Sequence, residues 1–315
     1  MNVDNFKTKL QSIMGSTLLN LKLYVITKEN EVKKLVISED VSDSLIELFK
    51  TNLEDTFLDE EKSYRLKPID ESNDELANTY YYFSSANLYE RLNTFSIFNE
   101  SEVAEFEFSQ DNFSDIETFF IKISSSEECI TLYKKNYPIN LLQRGKTLFF
   151  TKDNQKIDEL KNDILKIDRN FQFLSIDDKV LIVNLSMLEK QLGYSEIITR
   201  DASEVLNVIA SLDFLEDISK LTEMAKTTRI AKKINNIKNS KVLIIMEHDK
   251  QKVKEFIEKI EELKKSLKFN EDDKLELTTK VGVEKFLKLL DDDYLKSELT
   301  EVLYDTLSKE KILDV

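Results

Sequence analysis

Short alternating runs of apolar and polar residues dominate the first half of the chain; periods of three and four dominate the second. Leu21 to Thr27 and Val32 to Ile37 are β-prone runs separated by the polar Lys28-Glu29-Asn30-Glu31, which predicts a hairpin. Val41 to Phe57 carries Leu45, Leu48, Phe49 and Leu53 at helical spacing. Further strands are expected at Val103 to Phe108, Glu117 to Ile123 and Ile130 to Lys135. The run Tyr80-Tyr81-Tyr82-Phe83 reads as a strand packed on both faces in preference to a platform for stacking bases. From Ile164 to Leu185, the segments ILKID, FQFLSID and KVLIVNL are punctuated by Arg169-Asn170 and Asp177-Asp178, the pattern of an antiparallel meander.

After Ser186 the period becomes helical. Helices are predicted at Ala202 to Leu212, Phe214 to Lys226, Thr228 to Lys238 and Lys250 to Leu267. Val242 to Met246 reads as a short apolar strand that Lys274 to Thr278 pairs with, and Glu71 to Glu75 as a mobile loop. The fold class expected is α+β: a strand-rich, mixed N-terminal half with antiparallel sheet, then a mostly helical C-terminal half. The domain division is placed at 1–190 and 191–315, with no Gly/Ser-rich or Pro-rich linker to mark it.

Near the C-terminus, Phe286, Leu287 and Leu290 form one apolar face, and Leu295, Leu299, Leu303 and Leu307 another. On spacing alone these are two amphipathic helices, the second capped by carboxylates of Asp291, Asp292 and Asp293. As a string, Phe286, Leu287, Leu290, Asp292, Asp293, Tyr294, Leu295, Ser297, Thr300, Tyr304 and Lys309 resemble the closing motif of the KwaB family of the Kiwa anti-phage defence system. Asp291 departs from the amide more usual there, and Lys134-Lys135 with Pro138 and the strand-rich middle extend the likeness more loosely. That resemblance implies a cytoplasmic, DNA-binding component of a two-protein bacterial defence system that hinders phage DNA replication or transcription. It further implies a small membrane protein of the same system, Kiwa A-like, as partner, and self-association as a homodimer.

Composition narrows the chemistry. A length of 315 residues gives a prior of about two domains. No apolar run approaches the roughly 18 residues that span a bilayer, and MNVDNFKTKL contains no signal-peptide core. The chain is therefore expected to be cytoplasmic, with any membrane association through its partner. Cys129 and His248 are the sole residues of their kinds, which excludes an internal disulfide, a cysteine-rich zinc site and most histidine-based catalysis. Gly15, Gly145, Gly193 and Gly282 are too dispersed for a P-loop or dinucleotide fingerprint.

A formal net charge of −15 argues against a polyanionic ligand, but its distribution argues for one. Met224 to Met246 contains no acid, yet holds Lys226, Arg229, Lys232, Lys233, Lys238 and Lys241; Cys129 to Lys152 is likewise acid-free, with Lys134, Lys135, Arg144, Lys146 and Lys152. On a helix from Thr228 to Lys238, Arg229, Lys232 and Lys233 fall within an arc of roughly 100°, with Ile230, Ile234 and Ile237 in the adjacent arc. Cations so arrayed grip phosphates and release counterions, and lysine-rich contacts favour the backbone over base reading. Asn235, Asn236, Asn239 and Ser240 can add hydrogen bonds to phosphate.

Two other readings stay open. Glu247 and Asp249, after the predicted strand Val242 to Met246, can hold Mg²⁺ in a nuclease-like site, although the usual acid-x-lysine spacing is absent. Alternatively, the basic strips dock acidic protein surfaces or anionic lipid. Asp291, Asp292 and Asp293 point about 100° apart on a helix and suit capping better than metal ligation. No cofactor, resident metal or catalytic residue is assigned.

Overall fold

The computed structural model describes residues 1–84, 103–137 and 164–294, together with the backbone of strands at 141–142, 150–152, 157–159, 295–296 and 303–305. The chain is α+β and divides into two compact units: Met1–Ile69 with Glu75–Leu192, and Asp70–Asp74 with Gly193–Val315.

In the first unit, helix α1 (Val3–Met14) precedes strands β1 (Asn20–Thr27) and β2 (Val32–Leu35), followed by α2 (Glu39–Leu53). Strands β3 (Arg65–Pro68), β4 (Thr79–Ser84), β5 (Ala104–Glu105), β6 (Ile116–Ser124) and β7 (Cys129–Lys135) come next. Two short antiparallel pairs lie apart from them: β8 (Leu141–Leu142) with β11 (Ile164–Leu165), and β9 (Phe150–Lys152) with β10 (Ile157–Glu159). Strands β12 (Phe173–Ile176) and β13 (Lys179–Ile182) and helix α3 (Leu185–Gln191) complete the unit.

Among the described residues one sheet runs in the order β3-β4-β13-β12-β7-β6-β1-β2-β5, antiparallel except at its two edges, where β3 pairs with β4 and β2 with β5 in parallel. The register carries single rows of side chains across it. Leu35, Leu23, Ile121, Leu132, Leu174 and Leu181 follow one another from strand to strand and face the buried side chains of α1 (Phe6, Leu10, Ile13) and α2 (Leu45, Phe49, Leu53). Each such leucine or isoleucine withdrawn from water contributes about 1.5–3 kcal/mol. The neighbouring register row, Tyr24, Phe120, Tyr133, Phe173, Ile182 and Tyr81, points to the other face and is buried as well. Tyr80 packs edge-on against Phe57 and Tyr64, so the tyrosine run is core on both faces. Asn30 (φ 61°) and Asp177 (φ 52°) supply left-handed backbone at hairpin turns, which Asn and Asp tolerate best among L residues.

The second unit holds α4 (Tyr194–Ser211), α5 (Ser219–Ala225), α6 (Thr228–Asn236), α7 (Lys241–His248), α8 (Lys250–Lys259), α9 (Glu261–Ser266) and α10 (Lys280–Leu290). It also holds the strand pairs β14 (Lys268–Phe269) with β15 (Leu275–Glu276), and β16 (Tyr294–Lys296) with β17 (Leu303–Asp305). Gly193 starts α4 at φ 79°, a backbone that costs a glycine little. No helix among the described residues is long and apolar enough to cross a membrane.

Several local expectations are corrected. Val242 to Met246 is helical: the Ser240 hydroxyl caps α7 by accepting the Val242 N–H at 3.0 Å, and Leu243 and Met246, three apart, are its buried residues. A five-residue apolar run is equally legible as strand or helix, and the cap decides. Leu275 and Glu276 pair with Phe269 and Lys268 instead. The long helix from Lys250 breaks at Ile260, whose φ of −99° and ψ of 109° are extended. The predicted strand at Val103 to Phe108 shrinks to β5, and the predicted helix at Phe214 to Lys226 to α5.

Where the second C-terminal helix is expected, the described residues form β16 and β17, and Leu299 and Leu307 lie outside the described residues. Leucines four apart share a face at period two as well as at period 3.6, so the spacing never distinguished the two. Asp292 and its neighbours end α10 and do not begin a new helix. Asp292 takes φ 59°, its N–H reaches the Leu289 carbonyl at 3.0 Å, and the Asp293 N–H reaches that of Lys288 at 3.0 Å. This is a Schellman C-cap with aspartate in the place glycine usually fills.

Candidate nucleic-acid interface

Helix α6 is amphipathic with an unusually narrow exposed strip. Ile230, Ala231 and Ile234 are buried, and Ile237 continues the buried face into the following 3₁₀ turn. Arg229, Lys233 and Asn236, spaced by four and three residues, remain on the outer side. Lys232 does not join them. Burial of Ala231 beside it widens the inner face, and Lys232, 6% exposed, pairs with Asp74 at 3.2 Å. The segment Asp70–Asp74 is held there further by Asn235, whose amide donates to the Glu71 carbonyl at 3.2 Å and to that of Ile198 at 3.0 Å.

The outer strip of α6 meets cations from two other helices around a pair of glutamates. Arg229 donates to Glu284 of α10 at 2.7 Å. That guanidinium, with Lys233 and Lys288 also within Coulombic reach, holds the Glu284 carboxyl below the usual glutamate range. Lys280, Glu284 and Lys288 stand four apart, so α10 presents a charged stripe of its own. On α5, Lys220 donates to Glu223 at 2.7 Å; that bond, with the fields of Lys226 and Lys280, lowers the Glu223 carboxyl in the same way. Lys280, the first residue of α10, thus links that helix to α5. The result is a ridge on α5, α6 and α10 where six cations, Lys220, Lys226, Arg229, Lys233, Lys280 and Lys288, act on Glu223 and Glu284, bordered by Glu216, Asp217 and Glu276 beside Lys220 and by Asp291 beside Asn236.

The other sequence-predicted residues fall elsewhere. Lys238 and Lys241 are exposed beyond the end of α6, in the 3₁₀ turn and at the first residue of α7. Asn236 is occupied by Asp291 at 2.9 Å, and Ser240 donates to the Leu290 carbonyl. In the first unit, Lys134 is 2% exposed and bound to Asp168 at 2.7 Å and to the Asn170 carbonyl at 2.9 Å. Lys135 pairs with Glu117 at 2.7 Å. Arg144 and Lys146 lie outside the described residues. Lys220, Lys280 and Lys288 were not predicted; the signal available for the last two was their placement four residues either side of Glu284.

Glu247 and Asp249 do not follow a strand. Glu247 lies in the last turn of α7, and the Asp249 carboxylate caps α8, accepting the Lys252 N–H at 3.0 Å. Among the described residues, no group of three or more His, Cys, Asp and Glu side chains is arranged to hold a metal ion.

Comparison with known proteins bears on the same region. Residues 113–300, which include α5, α6 and α10, match the family described as Kiwa protein KwaB-like. The chain is 26% identical over 318 aligned positions to the Kiwa protein KwaB of Escherichia coli O55:H7 (strain RM12579 / EPEC), an alignment covering 99% of each. No solved structure matches it significantly.

Proposed function

The chain belongs to the Kiwa protein KwaB-like family, and from that premise we propose that it is the DNA-binding component of a bacterial anti-phage defence system. It binds duplex phosphates without sequence preference and thereby hinders replication or transcription of phage DNA. The ridge of α5, α6 and α10 carries this reading. In a protein of net charge −15, six cations from α5, α6 and α10 gather about Glu223 and Glu284, a local concentration of positive charge in which Lys226, Arg229 and Lys280 are exposed. Phosphate recognition needs that local excess, since each neutralised phosphate releases condensed counterions and supplies affinity. Five of the six are lysines, point charges suited to the backbone and poorly suited to bidentate reading of guanine.

The contact set is Arg229, Lys233 and Lys226, joined by Lys220, Lys280 and Lys288, with Lys238 and Lys241 extending it. Lys232 and Lys134 serve the fold: both are buried and paired. The protein works as a homodimer beside a small Kiwa A-like membrane protein, in the cytoplasm. Binding of a labelled random-sequence duplex, followed over a salt series with and without Mg²⁺, tests the reading. The expected outcome is salt-dependent binding without cleavage, lost when Arg229 and Lys233 are both replaced by glutamate. Retention of full affinity by that variant refutes the ridge. Metal-dependent cleavage that Glu247→Gln or Asp249→Asn abolishes would establish the nuclease reading instead.

A further inference from the structure

Glu223 and Glu284 are anomalous residents of a surface proposed to bind phosphate. Each accepts a 2.7 Å bond from a cation of the ridge, Lys220 for one and Arg229 for the other, and each lies in the field of two further lysines. A carboxylate oxygen at that distance occupies the position a phosphate oxygen takes when bound by the same donor. The two pairs are well exposed: the Arg229 and Glu284 side chains are 61% and 40% accessible, and those of Lys220 and Glu223 are 31% and 65%. Exposed pairs of this kind are weak, so an incoming phosphate exchanges with the carboxylate at little cost. Lys226 and Lys280 act on Glu223, and Lys233 and Lys288 on Glu284, so displacement of each carboxylate leaves two further cations beside the vacated donor.

We propose that Glu223 and Glu284 are built-in competitors for two phosphate subsites of the ridge, and that duplex binding displaces them from Lys220 and Arg229. The proposal rests on the DNA-binding reading above. It makes the two glutamates negative regulators of affinity: they hold the cations in register while the surface is empty and screen it from weaker anions. Displaced carboxylates swing toward solvent, and Lys280 and Lys288 then contact phosphate together with Arg229 and Lys233.

The test uses the full-length chain and a fluorescent random-sequence duplex. Glu284→Gln and Glu223→Gln each tighten binding roughly threefold to tenfold, and the double variant tightens it further, because removing a charge at the contact abolishes both the competition and the repulsion of phosphate. Glu271→Gln, an exposed acid of the same unit outside the ridge, makes the same change in net charge and serves as the reference. Tightening at Glu284 and Glu223 beyond that of Glu271→Gln supports the proposal, as does duplex binding by the glutamine variants when the unaltered chain binds none. If the unaltered chain binds through Arg229 and Lys233 but the glutamine variants match Glu271→Gln, the competition is overturned and the DNA-binding reading stands. If no variant binds duplex, both fall.

Discussion

Replacing Arg229 and Lys233 together by alanine isolates the electrostatic contribution of α6 from its packing. Counting the six cations of the ridge against Glu223 and Glu284 alone, and setting aside the acids that border Lys220 and Asn236, gives an excess of four positive charges, and the double variant leaves an excess of two. Taking that excess as the number of phosphates neutralised, the slope of log affinity against log salt is about −3.6 for the unaltered chain and about −1.8 for the variant. Between about 50 and about 200 mM salt the unaltered protein then loses roughly 150-fold in affinity, and the variant roughly 12-fold. Anisotropy titrations of a labelled duplex at several salt concentrations measure both slopes directly. Arg229 is 61% exposed and its partner Glu284 remains hydrated, so thermal stability changes by no more than about 1 kcal/mol. Parallel salt plots for the two proteins, with equal folding, would refute the assignment of α6 to phosphate contact.

Three further outcomes follow from the same geometry. Lys232→Met keeps the packing of a 6% exposed site and leaves Asp74 in water, changing stability by about 1 kcal/mol or less; Lys232→Glu buries a carboxylate beside the exposed Asp74 and costs more than about 3 kcal/mol by chemical denaturation. Burial pushes the Asp168 carboxyl up, but the Lys134 ammonium and the Asn170 N–H outweigh it and hold it below the ordinary 3.8. Because that folded value is depressed, the pair's stabilisation is present above about pH 4 and is lost as pH falls through it; Lys134→Met therefore costs about 1–3 kcal/mol at neutral pH, with a deficit that shrinks in acid. Asp292→Gly leaves stability unchanged or raises it by up to about 1 kcal/mol, whereas Asp292→Val lowers it by about 1–2 kcal/mol, because φ 59° strains a β-branched residue.

Elements whose pattern admits one period were legible without coordinates. The hairpin of β1 and β2, the strands β6 and β7, the helix α2 and the hairpin of β12 and β13 stand where alternation or helical spacing places them. Ambiguous patterns failed in an understandable way. Val242 to Met246 is too short to declare a period, and leucines spaced by four in the last segment satisfy strand and helix alike. In each case the deciding contact was one that hydropathy does not encode: a serine cap, or pairing with another strand.

The chemistry divides along the same line. The acid-free run from Met224 to Met246 marked α6 as basic, because a charge deficit is a property of consecutive residues. Which of its cations face solvent was decided by packing. Ala231 buries alongside Ile230 and Ile234, rotating Lys232 toward Asp74 and leaving Arg229 and Lys233 outside. That Lys220, Lys280, Lys288 and the two glutamates share a surface with Arg229 and Lys233 came into view only when α5, α6 and α10 were assembled, since Arg229 meets Glu284, and Lys280 acts on Glu223, across dozens of intervening residues. Periodicity reaches only a few residues along a chain, so the sequence alone determined the elements and the local bias of charge. Coulombic forces and hydrogen bonds act through space, so the tertiary structure alone decided which charges share a surface.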